Sequence, residues 1–175
     1  MKLKSERIEV SEDISQINSF FYEKGWSDGL PIIPPTEERV LSVLQGTQRK
    51  PEEVIGLIPP RWAEATVEKI AINAVMAGCL PEHLPAIITA VEAMVEKKFN
   101  LYGVQATTHP CAPLLVINGP FRKQLGINCS YGALGPRTLA NAVIGRAIRL
   151  ILLNIGGATP GKVDKATHGQ PGKYT

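Results

Sequence analysis

Aromatic side chains make up only 6% of this 175-residue chain, so its core must be filled by Val, Ile, Leu and Ala. A charge of one sign is also missing. Nineteen Lys and Arg face sixteen Asp and Glu, a formal net charge of +3 spread along the chain. No basic cluster with interleaved aromatics marks a nucleic-acid surface. The most apolar run, residues 139–155, is interrupted by Asn141, Arg146, Arg149 and Asn154, which argues against a membrane span. There are three cysteines and no CxxC or HxxxH pair, so neither a disulfide framework nor a familiar zinc spacing is present. The opening MKLKSERIEVSEDIS is charged and has no apolar stretch. A secretory signal is therefore not expected, and reduced thiols in the cytoplasm are. Repeats, heptads and low-complexity tracts are absent, and no nicotinamide, flavin or pyridoxal phosphate signature names a cofactor.

The remaining composition, 44% apolar and 20% charged, suits one globular domain. Apolar residues at helical spacing predict helices near 12–24, with Ser11 as cap, and from Thr36 to Gly46. Two further helices, Val67 to Gly78 and Pro81 onward, should form a hairpin, with Lys97 and Lys98 in the last turn of the second. A long helix opening at GPRT is apolar nearly all round and is expected to be central. LYGVQATT and PLLVINGP read as strands. PEEVIGLIPPRW reads as a proline-bracketed loop. The fold class is α+β, a helical hairpin and a long central helix packed on a small sheet. Residues 1–155 form the domain, and 156–175 form an extended Gly- and Pro-rich segment.

Six places could carry chemistry. Cys79 sits at the elbow AINAVMAGCLPEH, where the open amides of the next helix lower a thiol's pKa, with His83 at hand as base or cation. The competing reading is a small residue filling a tight corner. TTHPCAP offers His109 as a catalytic partner. With Cys111, Cys129 and either His83 or His168 it could make a zinc site, although the spacing gives no support for metal. GINCSYGALGPRT runs into the long helix. There Gly126, Gly132 and Gly135 let backbone amides converge, and Arg137 can grip a small anion. A solvated structural loop explains the same residues equally well. Asn118 and Gly119 end a strand candidate, where ligands often bind. Arg146 and Arg149 lie within an apolar helix and need carboxylates. Asp28 or Asp164 can supply these, and Arg146 could otherwise touch substrate. Asp28 itself reads as a turn former or a catalytic carboxylate.

Taken together, GWSDGLPIIPPTEERV, ATVEKIAINAVMAGCLPEHLPAIITAVEA, LLVINGP and IGRAIRLILLNIGGATPG…GQPGKYT resemble an uncharacterised bacterial family. Its members are encoded beside small proteins with a Cys- or selenocysteine-Gly-Ser-Cys motif, the UGSC family. The resemblance covers nearly the whole chain from Gly25. It favours Cys79 over the other thiols and implies thiol, sulfur or redox metabolism with a UGSC-type partner. It also implies that the chain is one part of a longer protein or of a homo- or hetero-oligomer.

Two functions are expected on these grounds. One is a small-molecule enzyme with Cys79 and His109 as catalytic groups, binding its anionic substrate through Asn118, Gly119, Gly132, Gly135, Arg137 and Arg146. The other is a non-catalytic subunit whose Pro- and Gly-rich loops pack on a partner.

Overall fold

The structure, a computed structural model, describes residues 3–174. Its first helix, α1 (Ile14–Glu23), is capped by Asp13, whose carboxylate accepts the amides of Ser15 and Gln16. Ser11, expected as the cap, lies two residues too early and accepts the Asp13 amide instead. Helix α2 (Glu37–Leu44) starts at Thr36 as its sequence predicts and buries Val40, Val43 and Leu44.

The sheet lies where a loop was expected. Strands β1 (Val54–Ile58) and β2 (Ala63–Thr66) pair antiparallel, with Leu57 opposite Glu64. Prolines at 51, 59 and 60 bracket β1 without interrupting it, which hid so short a strand from periodicity. The face of β1 at Gly56 is pressed against the next helical layer, since a Cβ there would stand 2.8 Å from the Val95 side chain.

Helix α3 (Val67–Ala77) leaves β2 directly. Thr66 accepts the Lys69 amide as its cap, and Gly78 closes its far end in the left-handed conformation, φ 92°. After one turn at Pro81–His83, α4 (Leu84–Val95) runs back against α3 and β1 as the expected hairpin. Lys97 and Lys98 fall beyond it, in a separate turn. LYGVQATT is not a strand: Leu101–Gln105 is the short helix α5. Asn100 caps it by accepting the Gly103 amide, and that local hydrogen bond outweighs the near-alternation of the side chains.

PLLVINGP is extended but unpaired. It leads into the short helix α6 (Pro120–Gln124), and after a long loop comes α7 (Leu139–Asn154). The most enclosed element is α3, with nine of eleven residues buried, against eight of sixteen in α7. Arg146, Arg149 and Asn154 turn one side of α7 toward loops, and α3 takes the middle position between α2, α4 and α7. The fold is therefore α+β, a helical body with one two-stranded sheet. No helix among the described residues is long and apolar enough to cross a membrane.

Two loops are fastened to this body by buried polar groups. Arg146 grips both carboxylate oxygens of Asp28, at 2.8 and 2.9 Å, and reaches the carbonyls of Leu30 and Pro31. Arg149 stands 3.6 Å from Asp164, whose same oxygen receives the Lys173 ammonium at 2.6 Å. The backbone beyond α7 turns under the β1–β2 hairpin, where Arg61 donates its amide to the Gly156 carbonyl.

Candidate functional site

Cys79 follows Gly78 because only a residue without Cβ adopts the left-handed turn cheaply. That turn swings the thiol inward. Cys79 is 6% exposed, and its Sγ donates to the Val143 carbonyl of α7 at 3.3 Å. Burial pushes its pKa up to about 12, the reverse of the lowering expected from the helix start. The open amides of the following turn do not rescue a thiolate that has lost its hydration. His83 does not serve as its base either. Its Nδ1 accepts the Leu80 amide at 3.1 Å, and burial lowers its pKa despite the neighbouring Glu82. His109 lies exposed in a distant part of the sequence with its amide bonded to Thr107, and no hydrogen bond joins it to Cys79. The thiol thus occupies a corner in the core.

The other two thiols, Cys111 and Cys129, are exposed. Among the described residues no group of three His, Cys, Asp or Glu side chains converges as metal ligands. Cys111 instead lines a small cavity of about 30 Å³ with Arg149 and Lys173, room for about one water. Both cations there already face Asp164. Lys173 carried no sequence signal, because its partner is set by the fold-back of the C-terminal stretch.

The glycine-bearing loop at 126–138 is organised from inside. Asn141 on α7 accepts the Asn128 amide and donates to the carbonyls of Asn128 and Ala133. The outer side is bare: Tyr131 is 99% and Leu134 91% exposed, and Gly126, Gly132, Gly135 and Arg137 are all exposed. Arg137 has φ 98° and makes no ion pair among the described residues. Thr138 gives α7 no side-chain cap. A cation beside open helix amides suits an anion, but the loop folds outward and does not close over that point. Arg146, expected to touch substrate, is instead held by Asp28 and two carbonyls. Asn118 sits elsewhere, in the lining of a second cavity, and Gly119 follows it as the residue before α6.

That second cavity is the larger, about 440 Å³. One wall is the outer face of α4, built from Ala86, Thr89, Ala90 and Ala93. The other is the stretch Leu114–Asn118, with Phe121 at the end. Along this stretch Leu115 and Ile117 pack on the core while Leu114 and Val116 are 71% and 73% exposed. The alternation is that of a β-strand. Yet no backbone N–H or C=O from Ala112 to Ile117 has a hydrogen-bond partner among the described residues. Just upstream the chain is covered, since Lys165 and Thr167 donate to the carbonyls of Thr107 and Thr108. The short apolar run was read as a buried strand, but the stretch pairs with nothing among the described residues and every second side chain is exposed. In comparison with known proteins, the chain matches no family model, no curated protein and no solved structure.

Proposed function

We propose that this chain is an assembly subunit, a non-catalytic body whose loop face from 106 to 138 is completed by another polypeptide. What carries this reading is the strand-like stretch Ala112–Ile117, apolar throughout, with Leu114 and Val116 exposed between the packed Leu115 and Ile117, and without one backbone hydrogen bond among the described residues. Backbone groups beside an apolar wall call for a partner. The neighbouring loop tip, with Tyr131 and Leu134 in solvent, adds a second apolar surface of the kind that marks interaction sites. The thiol enzyme expected from Cys79 gains less, because a protonated thiol in the core neither attacks nor shuttles protons at neutral pH.

Hydrogen exchange of the amides of Ala112 and Leu114–Ile117, which have no partner among the described residues, read alongside sedimentation mass, tests the reading. Those amides are expected to exchange fast in any 19.0-kDa monomer and to slow when the mass rises. Slow exchange in a lone monomer would show a face already complete, and the reading would fall.

A further inference from the structure

The open stretch also limits the kind of polypeptide that can complete the face. We propose that the partner is a second copy of this chain, joined through Leu114–Asn118 of each copy as antiparallel strands about a two-fold axis at Val116. This pairing rests on the subunit reading.

The backbone narrows the occupant first. One side of the groove is an extended chain with unused N–H and C=O groups, and another extended chain replaces water along such an edge residue by residue. The opposite side is the small-residue face of α4, where Ala86, Ala90 and Ala93 leave depth for side chains to enter. A strand laid there would pair with the edge and fill the groove together.

Charge narrows it further. Residues 110–120, PCAPLLVINGP, contain no Asp, Glu, Lys or Arg in a chain that is 20% charged. Free edges are ordinarily guarded by charges. A charged strand would lose hydration against Leu114, Val116 and the alanines, whereas an uncharged apolar strand has no charge to desolvate. A second copy offers such a strand, and a two-fold axis lets each copy cover the α4 face of the other, the self-complementary arrangement commonest in oligomers.

The prolines fix the register. Pro113 and Pro120 lack amide protons, and Gly119 leaves the strand conformation at φ 78°. An axis at Val116 sets Leu114 opposite Asn118, Leu115 opposite Ile117 and Val116 opposite its own counterpart. The ladder then runs over five residues, all with amides, and both prolines fall outside it. Moving the axis to Leu115 would place Pro113 opposite Ile117 and lose that fit.

The test uses the full chain with Cys111 and Cys129 replaced by Ser. In that background Val116→Cys brings two thiols directly opposite each other, at a Cα separation of about 4.5–5.5 Å that suits a disulfide. At about 10 µM chain, intermolecular oxidation should run roughly 100-fold faster than for Tyr131→Cys, the ratio of a millimolar effective concentration to the bulk. In otherwise unchanged protein, Val116→Lys should return the sedimentation mass from twice 19.0 kDa to 19.0 kDa with the helical circular dichroism intact. Oligomers in which Val116→Cys oxidises no faster than Tyr131→Cys would overturn the strand junction and leave the subunit reading standing. A wild-type chain at 19.0 kDa over all concentrations would overturn the two-fold pairing, and its amide exchange would then decide the subunit reading separately.

Discussion

Cys79 shows how the burial of one small side chain reverses a functional expectation. The pattern AINAVMAGCLPEH places a thiol beside open amides, and that much is legible. Which way the thiol faces depends on the left-handed turn at Gly78, which is local, and on the Val143 carbonyl 64 residues away, which nothing near Cys79 encodes. The consequence is measurable. A thiol whose folded pKa stands at about 12, above its ordinary 9.0, favours the fold fully below pH 9 and loses that contribution as pH rises toward 12. Urea midpoints should therefore fall more steeply between pH 9 and about 11 for the wild type than for Cys79→Ala. Iodoacetamide should reach Cys111 and Cys129 in the native protein, and Cys79 only on unfolding, as peptide mass spectrometry would record. Arg146 and Arg149 are the contrasting case. Two arginines in an apolar helix demand carboxylates, and Asp28 and Asp164 are the two that answer.

At the scale of elements, the longer helices were readable because their signals are short-range, although the first cap is Asp13 and not Ser11. Thr36 and Gly78 each act within a few residues. The sheet was not, because VIGLI and LYGVQ are both short apolar runs and differ in what they meet. VIGLI finds β2 and the Val95 side chain, while LYGVQ has Asn100 to cap a helical turn. Loops that look interchangeable are likewise tied to specific neighbours. The side chain of Asp28, only 3% exposed, forms a two-point ion pair with Arg146 that anchors the GWSDGLP loop to α7. Arg146→Ala leaves that carboxylate buried and unmatched, and should cost about 3–5 kcal/mol, measured by urea unfolding. Gly46 closes α2 where a Cβ would lie 1.9 Å from the Pro81 carbonyl oxygen. Gly46→Ala should destabilise by about 1–3 kcal/mol, as overpacking does, and a thermal scan would register it.

Across the whole molecule, distant segments are held by single carboxylates. Glu68, buried at the start of α3, receives the amides of Lys4 and Ser5 at 2.8 to 3.1 Å. Burial alone would raise its pKa, but those amides together hold it below its ordinary 4.5. Its contribution is thus present above pH 4.5 and is lost as pH falls through the lowered value. Limited proteolysis should cut the segment before α1 faster as the pH falls below the ordinary 4.5 and through the lowered value, and at neutral pH in Glu68→Ala. That substitution should also cost about 1.5–3 kcal/mol, the range for hydrogen bonds to a charged group. This latch was invisible in the sequence, since nothing near residue 4 indicates residue 68.

The uncharged strand at Leu114–Asn118 has a meaning for the chain before assembly as well as after it. An apolar, β-prone window without a charge is the composition that stacks into cross-β fibrils when left bare. The two flanking prolines, Pro113 and Pro120, then act as gatekeepers that confine the sticky window between them. Synthesis faster than partner capture would divert nascent molecules toward inclusion bodies. The edge proposed to join subunits is thereby also the feature that limits how much of the protein a cell can hold unassembled.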